Sequence, residues 1–173
     1  MRAQFLRDVE AFFQPSGRRP SVLRGFVWAL LEPGLLFALL LRAQQAAEPR
    51  SFVVARVLHV LNLRFTGGEV GLGCTIGGGL VVRHPIGIVI GGGTRIGSRV
   101  TILSGVVFGE RRPGKPGQAY PVVGDDVTIG TGAVLLGGVT VGARAVVGAR
   151  ALVLSDVPAG AVVVGAPARV VRP

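Results

Sequence analysis

Residues 122–153 read VVGDDVTIGTGAVLLGGVTVGARAVVGARALV, and an aliphatic residue returns there every sixth position: Val123, Ile129, Leu135, Val141, Val147 and Val153. The beat extends upstream through Val70, Ile76, Val82, Ile90, Ile96, Ile102 and Phe108. Glycine follows most of these, as in Ile76-Gly77, Ile96-Gly97 and Val141-Gly142. Four positions after most of them stands a small or β-branched residue: Cys74, Thr94, Val100, Val106, Val127, Ala133, Val139 and Ala145. A period of six is neither the 3.6 of a helix nor the 2 of an ordinary strand. It is a repeat, and hexapeptide repeats predict a parallel β-helix in which three short flats close one coil. The aliphatic residues are expected to stack inward, each coil covering the next. The glycines are expected to turn the corners, where other residues meet a penalty for positive φ.

Composition agrees with that reading. Of 173 residues 28 are glycine, and disorder would not keep aliphatics in register across the whole segment. Cys74 is the only cysteine and occupies an inward-type position, so it reads as a small core residue rather than a nucleophile. One cysteine excludes an intrachain disulfide and fits a reducing compartment. Met1 to Glu10 is charged and has no leader-like apolar run, so a cytoplasmic location is expected. The net charge of +10 is carried almost wholly by arginine, Lys115 being the single lysine. Such charge suits anionic partners. The arginines are dispersed, no nucleic-acid motif accompanies them, and no nucleic-acid partner is expected.

Two segments follow from the change of pattern: a helical part over 1–65 and a β-helix over 66–173. Phe5, Val9, Phe12 and Phe13 have helical spacing, ended by Pro15-Ser16-Gly17. Further helices are expected from Ser21 to Leu31, Leu35 to about Ala47 and Ser51 to Leu63. Glu32 precedes Pro33 and should break the second from the third. The apolar stretch Phe26–Leu41 is shorter than the ~20 residues a membrane span needs. It reads as helices packed on each other and on the first coil; the second reading is peripheral membrane contact through Phe26, Trp28 and the leucine-rich face.

The beat breaks twice. Val82 to Ile90 takes eight residues across Arg83-His84-Pro85-Ile86-Gly87, and Phe108 to Val123 takes fifteen across the insertion at 109–121. Solenoids accept insertions at their corners, often on the binding face. Of the two histidines, His59 lies in an apolar helical run and reads as structural. His84 lies at the first break and is the candidate general base for a hydroxyl. Glu69 comes fifteen residues earlier, close to one eighteen-residue coil, so it is expected nearly beneath His84 as its acidic partner.

The segment Glu69-Val-Gly-Leu-Gly-Cys-Thr-Ile-Gly-Gly-Gly-Leu-Val-Val-Arg-His84-Pro-Ile-Gly-Ile-Val-Ile-Gly resembles the active-site segment of serine acetyltransferases. Val139 to Ala149, Gly165-Ala-Pro-Ala-Arg169-Val-Val and the helical Glu32-Pro-Gly-Leu-Leu-Phe-Ala-Leu-Leu-Leu-Arg resemble the same family. The resemblance implies a left-handed parallel β-helix, a homotrimer, and acetyl transfer from acetyl-CoA to a hydroxyl of serine or a serine-like small molecule. It implies His84 as the base and Glu69 as its acidic partner, where cysteine-pathway enzymes carry aspartate. It implies cofactor contacts at Gly109, Thr131, Ala149 and Arg169, with backbone amides near Gly109 holding the oxyanion and no metal. It also shows departures. Arg83 stands where the family has an aspartate that helps hold serine, and Ala119-Tyr120-Pro121 replaces an Arg-His-Pro. Arg83 and Tyr120 are therefore the expected acceptor-binding positions, and they favour an acceptor other than free serine, such as a sugar or natural-product hydroxyl. A different acyl group, a zinc enzyme needing three histidines, and a catalytically inert β-helical scaffold are the remaining readings.

Overall fold

A computed structural model describes residues 1–14, 22–112 and 119–173. Four helices come first: α1 (Arg2–Phe13), α2 (Val22–Leu31), α3 (Pro33–Ala47) and α4 (Phe52–Thr66). Glu32 is extended at φ −108° and ψ 109°, and Pro33 opens α3, so the break falls where the proline demands it. Ser51 caps α4 by accepting from the Val54 amide, and Gly67 closes it in the left-handed conformation. The expected stop at Pro15-Ser16-Gly17 lies outside the described residues.

The remainder is a left-handed parallel β-helix with three faces. Face one stacks β1 (Glu69–Val70), β4 (Val89–Ile90), β7 (Val107–Gly109), β10 (Val134–Leu136) and β13 (Leu152–Val153). Face two stacks β2 (Thr75–Ile76), β5 (Arg95–Ile96), β8 (Val122–Val123) and β11 (Thr140–Val141). Face three stacks β3 (Val81–Val82), β6 (Thr101–Ile102), β9 (Thr128–Ile129), β12 (Val146–Val147) and β14 (Val162–Val164). The last strand, β15 (Arg169–Arg172), folds back antiparallel on β14. Every residue of the six-residue beat is buried, and with Cys74, Val100, Val106, Val127, Ala133 and Ala145 they form one continuous core.

The glycines after the strands do not play the part expected of them. Gly71, Gly77, Gly97, Gly130 and Gly142 do not have positive φ. They are small because the next coil presses on them: a Cβ at Gly71 would lie 2.6 Å from the Gly92 amide, and one at Gly130 2.6 Å from that of Ala149. Positive φ falls two residues later, at Gly73, Gly105 and Gly132, but also at Arg99, Asp126, Arg144 and Arg150. Close approach therefore selects the first glycine, and left-handed backbone is shared with polar residues at the second position.

The helices are fastened to the first coil by a buried ion pair. Asp8 of α1 and Arg42 of α3 are fully buried, with Arg42 Nε 2.8 Å from Asp8 Oδ2 and Nη2 3.1 Å from Oδ1. Arg42 also donates to the Ile76 and Gly77 carbonyls, while Asp8 Oδ1 accepts from the Gly79 and Leu80 amides. Burial pushes the Asp8 carboxyl up, and Arg42 with the two amides opposes that shift. Trp28 packs edge-on against Phe13, 5.8 Å between ring centres, so its ring serves the helical core. Leu30 and Leu31 of α2 are exposed. Among the described residues no helix is long and apolar enough to cross a membrane.

Candidate active site

The corner between faces three and one carries His84. In later coils four residues join the strands across this corner, with Gly105, Gly132 or Arg150 at positive φ. In the first coil the extra residues of Arg83 to Gly87 enlarge it, and both His84 (φ 55°) and Gly87 (φ 74°) are left-handed. Histidine is among the residues that enter this region more readily than most. The side chain is exposed and makes no hydrogen bond or ion pair with any described residue. A base poised for a substrate proton has this freedom.

The enlarged corner also changes the register. Glu69 pairs with Val89 and Thr75 with Arg95, so this coil takes twenty residues, whereas Val89 pairs with Val107 eighteen residues on. Glu69 is therefore stacked beneath Val89 and not beneath His84. Its titratable neighbour is His59, with Oε1 3.9 Å from Nε2, too long for a hydrogen bond. His59 is buried against β1, its Nδ1 2.8 Å from the Val70 carbonyl, which bears out its structural reading. Glu69 and His84 are not in direct contact, yet their backbones are close. A Cβ at Gly68 would lie 2.9 Å from the Pro85 carbonyl, and one at Gly67 would touch Ile86.

Above His84 the same edge carries Ser104, Thr131 and Ala149 in successive coils, tied by Gly132 N–H to the Ser104 carbonyl and Arg150 N–H to the Thr131 carbonyl. Thr131, Ala149 and Arg150 are exposed. Arg169 is exposed at the top, paired with Val164 where face three ends. From His84 to Ala149 is three rungs, roughly 14 Å at normal strand spacing. Four of the sequence-derived positions thus share one edge.

Gly109 and Tyr120 lie on another edge, between faces one and two, where the insertion leaves β7 and returns to β8. The Tyr120 ring rests on the turn Gly91-Gly92-Gly93, and its hydroxyl bonds to Glu110. That bond, with burial and the Glu110 charge, raises the phenol pKa and keeps it neutral. Arg83 joins neither cluster. Its guanidinium lies 4.2 Å over the Phe12 ring and donates to the Phe12 carbonyl, so α1 holds it. Cys74 is buried, its thiol pushed up to about 12 chiefly by burial, and it is no nucleophile. Among the described residues no three metal-ligating side chains converge.

The fold is shared with known proteins. Residues 120–155 match the family model for the bacterial transferase hexapeptide (six repeats). The chain is 42% identical over 143 residues to a serine acetyltransferase of Helicobacter pylori, covering 82% of this chain and 83% of that one. It is 41% identical over 131 residues to that of Bacillus subtilis, covering 75% and 60%. A structure of the soybean serine acetyltransferase complexed with serine superimposes with a TM-score of 0.85 at 30% identity, over 98% of this chain and 68% of that chain.

Proposed function

The chain belongs to the serine acetyltransferase family of hexapeptide-repeat acyltransferases, and we propose that it carries an acetyl group from acetyl-CoA to the hydroxyl of serine or a serine-like small molecule. The observation that carries this reading is His84: an exposed imidazole on the enlarged corner of its edge, at the foot of the stretch lined by Thr131 and Ala149. His84 takes the acceptor hydroxyl proton as the oxygen attacks the thioester carbonyl. The C–S bond then breaks, and the imidazolium returns its proton to the leaving thiolate. Glu69 is the positioning residue. Its carboxylate is not committed to His59 at 3.9 Å and lies one residue beyond the Gly68–Pro85 approach, which favours its reaching the imidazole when substrate draws His84 inward.

The donor lies along the edge above His84, with backbone at Thr131 and Ala149 lining its arm. Arg150 and Arg169 supply cations for its phosphates at the upper end. The catalytic unit in this reading is a homotrimer. Gly109 and Tyr120 stand on a different edge from His84 in one chain, and a threefold axis brings the two edges of neighbouring subunits together. Backbone amides near Gly109 then face the oxyanion. His84→Ala should lower kcat by about 10²–10⁴-fold with acetyl-CoA binding retained by calorimetry. Near-normal turnover in that variant would exclude His84 as the base, and a fully active monomer by light scattering would exclude the shared site.

A further inference from the structure

One end of the His59 ring holds the fold, and the other faces Glu69. The Val70 carbonyl can only accept, so the nitrogen 2.8 Å from it, Nδ1, carries the ring proton. In that tautomer Nε2 presents a lone pair, and Nε2 is the atom nearest the Glu69 carboxylate. An imidazolium there would close on a carboxylate to about 2.7–2.9 Å. The observed 3.9 Å is the separation of two acceptors with no proton between them. Behind the ring, Gln44 Nε2 of α3 is already committed to Glu48 and to the Val70 carbonyl, at 3.1 and 3.2 Å. The His59 side chain is 6% exposed and that of Glu69 46%, so the ring closes the interior and the carboxylate stands outside it. On its other side Glu69 adjoins the base's own segment. Its amide donates to the Ile88 carbonyl, just past the His84 corner, and Gly68 abuts the Pro85 carbonyl.

We infer that His59 is a positioning residue for the acetyl transfer: its ring and Nε2 lone pair bar the Glu69 carboxylate from the interior and keep it free for His84. This rests on the reading above in which Glu69 orients the base. A histidine suits the place where an amide does not. It donates at one end, to the Val70 carbonyl, and accepts at the other. An amide side chain brings two N–H donors, and the second would bind the carboxylate and draw it away from His84.

The test is a crossover between two substitutions. With the full chain, acetyl-CoA and L-serine, kcat and KM are measured for wild type, His59→Asn and His59→Phe, with and without Glu69→Gln. His59→Asn keeps a donor for the Val70 carbonyl but vacates the ring and adds a free N–H. It should lower kcat about three- to thirtyfold, with KM for acetyl-CoA unchanged. His59→Phe keeps a ring and offers no donor, and the Val70 carbonyl retains Gln44. Its kcat should stay within about twofold of wild type. A histidine that only anchors the fold gives the reverse order, because the Val70 bond survives in His59→Asn and is lost in His59→Phe. In the Glu69→Gln background the His59→Asn effect should vanish, since no carboxylate is left to capture. His59→Asn at wild-type kcat overturns the inference. So does an effect of His59→Asn that persists undiminished beside Glu69→Gln, or a folded His59→Phe that loses as much as His59→Asn. If His59→Phe melts early, the cycle between His59→Asn and Glu69→Gln decides alone. Wild-type kcat in Glu69→Gln removes the role of Glu69 and this inference with it, yet leaves His84 as the base. Full turnover by His84→Ala removes the acetyltransferase mechanism itself.

Discussion

Arg42→Ala should be among the most damaging single changes outside the candidate site. The guanidinium makes five hydrogen bonds: two to Asp8, one to Gln45 and one each to the Ile76 and Gly77 carbonyls. Removing one partner of a buried pair costs about 3–5 kcal/mol, because the remaining charge stays buried without compensation. The pair cannot simply be exchanged for apolar residues, as many buried pairs can. Asp8 also accepts from the Gly79 and Leu80 amides, and an apolar residue there would orphan both at about 1–3 kcal/mol each. Arg42→Met with Asp8→Asn keeps a carbonyl acceptor for those amides and should recover part of the loss. The pH dependence follows from burial, which already raises the Asp8 carboxyl above 3.8 against the pull of Arg42. Without Arg42 the folded-state pKa rises further. A carboxyl that binds its proton more tightly when folded contributes less stability as pH rises from the unfolded value through the folded one. The deficit of Arg42→Ala should therefore be larger at pH 7.5 than at pH 5. Urea denaturation followed by circular dichroism, at fixed protein concentration, measures both. A loss under ~1 kcal/mol at pH 7.5 would show that the pair is hydrated or unformed.

Other perturbations test the coil packing. Thr94 is fully buried and its hydroxyl has no hydrogen-bond partner among the described residues, so Thr94→Val should stabilise the chain by about 1 kcal/mol, seen as a higher urea midpoint; a loss would mean that the hydroxyl is satisfied. Gly130→Ala puts a methyl 2.6 Å from the Ala149 amide and should cost roughly 1–3 kcal/mol by thermal unfolding, whereas a neutral result would show that the coils separate freely. Cys74, with its thiol pushed up to about 12, should resist a thiol reagent at pH 8 until denaturant is added; rapid labelling of the folded protein would contradict its burial.

The β-helix was legible because one physical requirement, stacking an aliphatic residue at every flat, repeats without interruption from Val70 to Ile102 apart from the corner at His84. That corner was visible as a count of residues, and His84 with it. Its effect on register was not: the offset of fifteen to Glu69 suggests stacking, but the added residues move Val89 into that place. Asp8 and Arg42 are 34 residues apart, and sequence shows only a single arginine in an apolar helix, with nothing local to point to its partner. Arg83 illustrates a further limit. The type of residue at a corner says which charge is present but not where a flexible side chain goes, and Phe12, 71 residues earlier, decides that. Glu110 carries no local signal, because its partner Tyr120 is ten residues away across the insertion and only the fold joins them.

The stacking rule also makes length a variable independent of chemistry. Each coil above the first adds one rung, roughly 4.8 Å, to the edge that rises from His84 towards Arg169. Because a coil contacts only its immediate neighbours, one can be inserted or removed in units of eighteen residues without altering the corner below. The edge is in effect a ruler. Its zero is the His84 corner, clamped by the helices, and its last mark is where β15 turns back on β14. Under the proposed function, changing the number of marks changes which donor lengths fit between the reacting carbon and the terminal arginines, while the His84 corner stays the same.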